Sequence, residues 1–545
     1  MISVAKDSRG RALEWLGTAI VVLAALRYWL WYFDRNANLL DEGSTVAQAL
    51  RVLNGELIYR DFFTVVTPAS YYTVAGLFQL FGPSLMVLRW AALVTGLGIL
   101  VITLLIARRV MSWPFAASAA LMTTVWGWFL ITPNFYSLEA ALFALLALWS
   151  YLRHLEQSHV KWIVLAGVLT GLAVLTKQNV GAYAAVAILI TTWIVRLVGD
   201  PAPKGAGYVT VAFIGGILIP VLPALLLLVA SGAGPYLYES WVYYPLAKYP
   251  ERFALPYPSF FEPLTTDHGV FERWVRYVIY LPVLVYPVGA ILIVRAREHR
   301  RELIAIAVMG LLLLLQSWPR ADVPHILFGL QLTFVMLAYV LYRGARNRAM
   351  AIVMVAPMLV LLWQGYKRTD WEYANYVARL RADRAQGVAT LPIDAQRIDL
   401  VTQYIRGHTT PDESIFVVPW AAGFYFLTDR ANATRTDFML FADQEMYPCL
   451  LARLQERQPK YVIYGYTWDV DNKRFRDYAA PIDAYIRSRY VIEDEVDGYE
   501  IWRRVETSSS SINTWAGACR PRRFRWSDLF GRREESSSSA ASSVQ

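Results

Sequence analysis

Residues 38–68, NLLDEGSTVAQALRVLNGELIYRDFFTVVTP, follow one long apolar segment of the chain and precede another. An acidic pair, Asp41 and Glu42, stands near the start of this 38–68 segment, and a basic–acidic pair, Arg60 and Asp61, stands near its end. Such a concentration of charge between apolar segments predicts an ordered loop outside a membrane. What these charges face depends on where the remaining segments lie.

The composition is that of a membrane protein. Of 545 residues, 56% are hydrophobic and 17% are charged, whereas soluble domains carry about 25% charged residues. The net charge of +9 is explained by basic cytoplasmic loops, so nucleic acid is not an expected partner. Cys449 and Cys519 are far apart and lack metal-ligand spacing, and we expect no disulfide framework.

The apolar segments predict a mainly α, polytopic membrane protein of about eleven transmembrane helices. Lys6, Arg9 and Arg11 precede the first span, which predicts a cytoplasmic N-terminus by the positive-inside rule and, with an odd number of spans, an outside C-terminus. The piece at 70–81 is too short to span and predicts an interfacial or re-entrant helix. The expected spans lie near residues 13–33, 85–107, 114–132, 138–152, 162–176, 180–196, 207–231, 276–294, 303–318, 325–342 and 349–365.

Three regions are expected. A transmembrane domain covers residues 1–366, with large outer loops at 34–69 and 232–274. The second loop is rich in Pro and Tyr, which suits equally a gate or platform for an amphiphilic substrate and a simple interfacial loop. Alternating helical and strand patterns predict an extracytoplasmic α/β domain at 367–506, and the Ser- and Arg-rich residues 507–545 predict a disordered tail.

Within the predicted α/β domain the elements can be placed approximately. The expected helices lie at 371–385, 395–406 and 443–457, and the expected strands lie at 414–418, 461–464 and 499–503.

Ionisable and polar groups stand at the outer ends of several predicted spans. Such a group within a span costs about 2.5–3.5 kcal/mol on insertion scales, so it usually lines a cavity or pairs with a partner. Each one also has a simpler explanation, namely a snorkelling lysine, a local salt bridge, a packed histidine, a helix-start carboxylate or a solvated turn. A shared site is favoured because all of them fall on the same face of the predicted topology. They are Asp41, Glu42, Arg60, Asp61, Arg89, Glu139, Lys177, Arg320, Asp322 and His325.

This set of side chains suits a phosphate and a hydroxyl group to be activated. Arginine and lysine neutralise phosphate, and arginine can bind it with two hydrogen bonds. A carboxylate can act as a general base or as a ligand for a divalent cation, while apolar spans can hold a lipid chain. The sequence contains no Walker motif, Rossmann fingerprint or HExxH motif.

The motifs resemble those of GT-C superfamily membrane glycosyltransferases, in particular the protein O-mannosyltransferases and the lipid A aminoarabinose transferase. The resemblance covers residues 12–365. It rests on the DE pair after the first span and on GELIYRDFF at 55–63, GLAVLTKQN at 171–179 and RADVPH at 320–325.

The resemblance implies an inverting transfer from a polyprenyl-phosphate-linked hexose or pentose to a lipid, glycan or protein acceptor on the outer face of a cell membrane. It implies that Asp41 is the catalytic base or a metal-associated carboxylate supported by Glu42. A divalent metal cation at Asp41 is permitted but not required. Donor phosphate contacts fall to Arg60, Lys177 and Arg320, and supporting roles fall to Asp61, Arg89, Glu139, Asp322 and His325.

Two other classes of protein remain open. A secondary transporter would also have many spans with buried charges, but its charges are expected near the bilayer midplane in corresponding halves. A flippase or ligase of lipid-linked glycans would share the donor chemistry and the long outer loops. Only the motif resemblance separates this second class from a glycosyltransferase.

Overall fold

The structure is a computed structural model that describes residues 8–127, 135–197, 205–264, 269–466, 473–505 and 519. Its N-terminal two thirds is built of helices, which satisfy their own backbone hydrogen bonds as a bilayer requires. These helices are α1 (Ser8–Tyr32), α2 (Asp41–Leu53), α3 (Ala69–Phe81), α4 (Leu85–Ala107), α5 (Trp113–Trp126), α6 (Phe135–Gln157), α7 (Val160–Thr176), α8 (Gln178–Leu197), α9 (Ala206–Ala230), α10 (Gly234–Leu237), α11 (Tyr249–Phe253), α12 (Glu272–Arg295), α13 (Arg300–Leu314), α14 (Val323–Phe328), α15 (Gln331–Gly344) and α16 (Arg348–Tyr373). A π-helix covers Tyr238–Lys248, and short 3₁₀ helices cover Gly269–Phe271 and Leu315–Ser317.

The prediction of a mainly α, polytopic membrane protein is confirmed. Among the described residues, seven helices are long and apolar enough to cross a membrane, and they are α1, α4, α6, α8, α9, α12 and α16. The other predicted spans correspond to α5, α7, α13 and α15, which have 14, 17, 15 and 14 residues. At 1.5 Å per residue these are shorter than the ~30 Å hydrocarbon core, so a total of eleven spans stays a prediction.

Two local predictions in this part need correction. The 38–68 segment is not a loop throughout, because α2 occupies Asp41–Leu53. The Asn38 side-chain oxygen accepts the backbone N–H groups of Leu40 and Asp41, both at 2.8 Å, and so caps the helix start. The predicted span at 325–342 is divided into α14 and α15. The end of the predicted span at 114–132 lies outside the described residues.

The C-terminal part combines strands and helices. Its strands are β1 (Ala378–Arg379), β2 (Ala389–Thr390), β3 (Ile415–Val418), β4 (Tyr461–Gly465), β5 (Tyr490–Val496) and β6 (Tyr499–Arg504). Its helices are α17 (Pro392–His408), α18 (Gly423–Thr428), α19 (Tyr447–Arg457), α20 (Phe475–Tyr478) and α21 (Ala480–Arg489), with 3₁₀ helices at Asp383–Ala385 and Met439–Phe441. The main sheet has the order β3-β4-β6-β5, in which β3 and β4 are parallel and the other pairs are antiparallel.

The sequence located three of the four strands of the main sheet and missed β5. Its sequence, YVIEDEV, is exposed along most of its length, so it lacks the alternating apolar pattern on which strand prediction depends. The helix predicted at 371–385 is wrong, because α16 continues only to Tyr373 and β1 follows. The predicted tail at 507–545 lies outside the described residues apart from Cys519.

The expectation about the cysteines is also wrong. Cys449, in α19, forms a disulfide with Cys519, although 70 residues separate them in sequence. Their Cα atoms lie 4.6 Å apart. Distance along the chain could not reveal this pairing, because the fold decides which cysteines meet.

The two parts of the molecule share one core. A continuous cluster of buried apolar side chains runs from the long helices into α17, α18, β3 and β4. A close approach joins α2 to α18, where a Cβ atom added to Gly43 would lie 2.6 Å from the backbone nitrogen of Gly423. The Gly423 N–H also donates to the Leu39 carbonyl at 2.9 Å. The C-terminal part therefore packs directly against the helix that begins with Asp41.

Candidate functional site

Asp41 lies at the first position of α2 and is partly buried. Burial raises the pKa of this carboxyl above its usual value, while the positive charges of His325 and Arg320 act in the opposite direction. The negative charge of Asp322 raises the pKa further. These charges act on Asp41 because the fold brings residues 320–325 close to it, almost three hundred positions along the chain.

Asp322 organises the turn that faces Asp41. It accepts a hydrogen bond from Arg320 Nε at 2.7 Å through one oxygen. Its other oxygen lies 2.5 Å from His325 Nδ1 and accepts the His325 backbone N–H at 3.1 Å. Burial opposes ionisation of Asp322, but these hydrogen bonds and positive charges hold its pKa below the ordinary value. A carboxylate thus holds the Arg320 and His325 side chains in place.

The loop at 232–274 supports the same turn from its other side. The Leu255 N–H donates to the Pro319 carbonyl at 3.0 Å, and the Ala321 N–H donates to the Leu255 carbonyl at 3.1 Å. These backbone hydrogen bonds bracket Arg320. The 232–274 loop therefore helps to hold the 320–325 turn in place. This contact is compatible with both suggested roles of the loop, a gate or platform for an amphiphilic substrate and an interfacial loop.

Lys177 lies between α7 and α8 and reaches the same turn through neutral groups. Its Nζ donates to Ser137 Oγ at 2.9 Å and to Gln316 Oε1 at 3.2 Å. The Gln316 amide in turn donates to the His325 carbonyl at 2.8 Å. Within the described ranges no carboxylate forms an ion pair with Lys177. Lys177 is thus linked through Gln316 to the backbone of His325, and it has no carboxylate partner among the described residues.

The residue after Lys177 joins this loop to the end of the 38–68 segment. Gln178 donates from Nε2 to the Val65 carbonyl at 2.5 Å. Its Oε1 accepts the Thr67 backbone N–H at 3.3 Å. We name Asp41, Arg320, Asp322 and His325 the Asp41 cluster, because the charges of the other three act on Asp41, and Gln316 joins Lys177 to this cluster.

Glu42 and Arg89 form a separate, buried ion pair. Arg89 Nε and Nη2 donate to the two Glu42 oxygens, both at 2.7 Å, and the two side chains are 1% and 0% exposed. Arg89 also donates to the carbonyls of Phe33, Arg35 and Asn36. Both charged groups are thereby satisfied within the protein, which ties α4 to the start of α2.

Arg60 and Asp61 lie in a more open environment. Arg60 Nε and Nη2 donate to the two Asp61 oxygens at 2.8 and 2.7 Å. The side chains are 45% and 29% exposed. Asp61 also accepts the Leu57 backbone N–H at 2.7 Å, so the pair closes a turn. This arrangement orients Arg60 through Asp61, but it does not bring Arg60 into the Asp41 cluster.

Glu139 connects two helices. Its Oε1 accepts the Thr73 hydroxyl at 3.0 Å, and the residue is 8% exposed. Glu139 lies on α6 and Thr73 on α3, so the contact anchors the short α3 against a long helix. This placement accounts for a buried carboxylate near the start of α6. Its supporting role in the site stays a prediction.

Comparison with known proteins agrees with this architecture. Residues 65–225 match the family model described as dolichyl-phosphate-mannose-protein mannosyltransferase. No curated protein sequence matches the chain. The structure of ArnT from Cupriavidus metallidurans in the apo state is similar, with a TM-score of 0.61, 14% identity and coverage of 91% of this chain and 98% of that one.

Two further structures give the same result. ArnT bound to undecaprenyl phosphate has a TM-score of 0.56 and 15% identity, and the match covers 90% of this chain and 98% of that one. The Archaeoglobus fulgidus oligosaccharyltransferase, in complex with Zn and sulfate, has a TM-score of 0.51 and 13% identity, with 82% and 68% covered. The chain has the GT-C fold. The resemblance drawn from the sequence motifs is thereby confirmed.

The family match covers only some of the candidate site residues. Lys177 and Glu139 lie inside 65–225, whereas Asp41 and the 320–325 turn lie outside it. Sequence reasoning missed Gln316, which joins Lys177 to that turn. A signal was present, because Gln316 is a polar residue at the end of the apolar run LLLLL. Asp437, which contacts α2, gave no such signal.

The side chains around Asp41 do not fit a divalent cation. In the described part of the chain, no three or more His, Cys, Asp and Glu side chains are grouped so as to hold a metal ion. Asp322, the carboxylate near Asp41, is already engaged by Arg320 and His325. A metal ion needs more oxygen or nitrogen ligands than Asp41 alone provides. The proposed chemistry below therefore includes no metal step.

Proposed function

We propose that this chain is an integral membrane glycosyltransferase. It transfers a hexose or pentose from a polyprenyl-phosphate-linked donor to a hydroxyl group of a lipid, glycan or protein acceptor. The GT-C fold and the mannosyltransferase family match support the reaction class, and the ArnT structure with undecaprenyl phosphate supports the donor class. The observation that carries the proposal is the position of Lys177, whose hydrogen-bond partners in the described part of the chain are neutral and which Gln316 joins to the Asp41 cluster.

Lys177 suits the phosphate of the donor. Its two hydrogen-bond partners, Ser137 and Gln316, are 3% and 5% exposed, so water has little access to that side of the ammonium. A partly buried positive charge is costly without an opposite charge. An anionic phosphate, either a monoester or a diester, would supply that charge. Arg320 extends the positive surface towards Asp41 and can add directional hydrogen bonds.

Asp41 suits the role of general base. The hydroxyl oxygen of the acceptor attacks the anomeric carbon of the sugar while its proton passes to the Asp41 carboxylate. The bond between the anomeric carbon and the phosphate oxygen breaks, and both electrons leave with the polyprenyl phosphate. Lys177 and Arg320 stabilise the charge on this leaving group. Attack from the side opposite the phosphate inverts the configuration at the anomeric carbon.

The remaining charged residues have positioning roles in this proposal. Asp322 holds Arg320 and His325 towards Asp41, and the Glu42–Arg89 pair holds the start of α2. Arg60 lies at the rim with Asp61, where solvent screens its charge, so its contribution to phosphate binding is small. The basic loops of the sequence support an outer location of the site, with the N-terminus in the cytoplasm and the C-terminal part outside.

Binding of undecaprenyl phosphate by purified protein tests the donor class. The unmodified protein is expected to bind undecaprenyl phosphate and to discriminate against undecaprenol, which lacks the phosphate. Lys177→Ala is expected to weaken binding of the phosphate lipid by roughly 10- to 100-fold, the range for a hydrogen bond to a charged group. Equal binding of the two lipids by the unmodified protein would refute the proposed donor.

The matched control is Lys248→Ala. Lys248 belongs to the π-helix and pairs with Glu251 at 3.3 Å, so it already has a carboxylate partner. This variant is expected to bind undecaprenyl phosphate as the unmodified protein does. A similar loss in both lysine variants would indicate general attraction of the anionic lipid instead of a specific site.

A further inference from the structure

The C-terminal part is hydrogen-bonded to α2 through a buried carboxylate, Asp437. Ser44 Oγ donates to Asp437 Oδ2 at 2.8 Å. The Gln48 amide donates to both carboxylate oxygens, at 3.1 and 3.0 Å. Asp437 is 7% exposed, and burial raises its pKa while the hydrogen bonds from Gln48 and Ser44 oppose that rise. Most of the hydrogen bonding of this carboxylate therefore comes from one helix, and that helix begins with Asp41.

The spacing of these residues makes the contact specific for the orientation of α2. Ser44 and Gln48 follow Asp41 by three and seven positions, which places all three side chains on one face of an α-helix. A carboxylate that binds two positions of that face restrains the rotation of the helix about its axis. The same rotation decides where the Asp41 carboxylate points.

Neighbouring residues of the C-terminal part make further contacts along the 38–68 segment. Arg51 Nη1 donates to the Thr434 carbonyl at 3.1 Å. The Phe63 N–H donates to the Arg435 carbonyl at 2.7 Å. The residues at 434–437 thus run beside α2 and the end of the segment. Thr434 and Arg435 make these contacts through their backbone carbonyls. Asp437 instead uses its side chain, and it contacts the face of α2 that carries Asp41.

We propose that Asp437 is a positioning residue for sugar transfer, which fixes the rotation of α2 through Ser44 and Gln48 and thereby places the Asp41 carboxylate. This inference rests on the proposed function, because it takes Asp41 as the base. It also gives the C-terminal part a defined task, since the transfer site is incomplete without it. The donor phosphate is assigned to Lys177, which takes no part in the Asp437 contact, so binding and turnover should separate.

The test is Asp437→Asn in the full-length protein, with transfer from a radiolabelled polyprenyl-phosphate sugar as the readout. An amide at this position presents a donor to the Gln48 amide and loses one acceptor. The kcat is expected to fall by about 100-fold, as for a catalytic group displaced by about 1 Å. The KM for the donor and the binding of undecaprenyl phosphate are expected to stay within about twofold.

Exchanging the amide and the carboxylate between positions 48 and 437 is expected to rescue the activity. Gln48→Glu combined with Asp437→Asn again pairs one carboxylate with one amide, and it is expected to restore most of the lost kcat. Asp443→Asn is the matched control, because Asp443 is 4% exposed in the same part of the protein but accepts the Met446 N–H instead of a contact from α2. This control is expected to keep its kcat within about twofold.

Each outcome supports or overturns the positioning role of Asp437. A kcat loss with intact lipid binding and rescue by the swap supports the inference. An unchanged kcat in Asp437→Asn overturns it, as does a joint loss of lipid binding and turnover in a folded Asp437→Asn protein. If Asp437→Asn does not fold, Ser44→Ala decides by the same split between kcat and lipid binding. Absence of transfer by the unmodified protein would instead count against the proposed function.

Discussion

The two ends of the 38–68 segment contain similar charges but lie in opposite environments. At the start, Glu42 pairs with Arg89, and both side chains are 1% exposed or less. At the end, Arg60 pairs with Asp61, and the side chains are 45% and 29% exposed. Each pair has two short hydrogen bonds, so pairing geometry alone does not distinguish them. Burial decides which of the two pairs is structurally important.

The difference has a physical basis. An exposed ion pair contributes about 0–1 kcal/mol, because water and salt screen it. A buried pair is sensitive to the loss of one partner, because the remaining charge is left without compensation. The start of the segment also faces the 320–325 turn, whereas its other charged end closes a local turn. The predictions below test this contrast, beginning with the largest expected effect.

The first prediction concerns the carboxylate at the buried end. Asp41→Asn is expected to reduce sugar transfer by roughly 10²- to 10⁴-fold, the usual contribution of a general base. Binding of undecaprenyl phosphate should remain, because Lys177 and Arg320 are unchanged. Transfer from radiolabelled polyprenyl-phosphate pentoses and hexoses in membranes measures the effect. The control is Asp34→Asn, which alters an aspartate paired with Arg379 before the segment. Full transfer by a folded Asp41→Asn protein would exclude Asp41 as the base.

The second prediction concerns the buried pair. Glu42→Gln is expected to reduce the free energy of unfolding by about 3–5 kcal/mol, because Arg89 is left charged without its partner. Denaturant titration of the purified protein in detergent measures this loss. Replacing both residues by apolar side chains of similar size, Glu42→Leu with Arg89→Met, should cost less than the single change. If Glu42→Gln destabilises the protein less than the double change does, the loss of Glu42 does not leave an uncompensated charge on Arg89.

The third prediction concerns pH. Asp41 must be ionised to accept a proton, so transfer rises with pH through the pKa of Asp41, which burial places above the usual value. The charge of His325 lowers this pKa, so His325→Asn is expected to move the acidic limb of the kcat–pH profile to higher pH. Asp322 acts with the opposite sign, and Asp322→Asn should move the same limb to lower pH. Shifts in the same direction in both variants would contradict the arrangement around Asp41.

The smallest effect is expected at the exposed end. Arg60→Ala should change the free energy of unfolding by less than about 1 kcal/mol and should leave undecaprenyl phosphate binding largely intact. Arg51→Ala is the matched comparison, since this arginine is 14% exposed and also binds the carbonyls of Thr434 and Asp61. It should be the more destabilising change. If Arg60→Ala weakens lipid binding as strongly as Lys177→Ala, the two ends share the donor and the contrast fails.

Much of the helical framework could be predicted from the sequence. Apolar runs located the long helices within a few residues, because a membrane-spanning helix must be apolar over most of its length. The RADVPH turn could also be interpreted locally, since Arg320, Asp322 and His325 are close in sequence. The motif at 171–179 identified Lys177 but not its partners. Short helices such as α5 and α15 show why a number of spans does not follow from hydropathy alone.

What the sequence by itself determined, then, is the class of the protein, the residue types of the site and their local pairs. These depend on composition and on contacts within a few residues. Only the tertiary structure decided that Lys177 reaches Gln316, that Arg89 pairs with Glu42, that Cys449 meets Cys519 and that Asp437 holds α2. Each of these contacts joins segments distant in sequence, and packing of the whole chain brings them together. The 38–68 segment thereby becomes a helix held by both parts of the molecule, with Asp41 at its start.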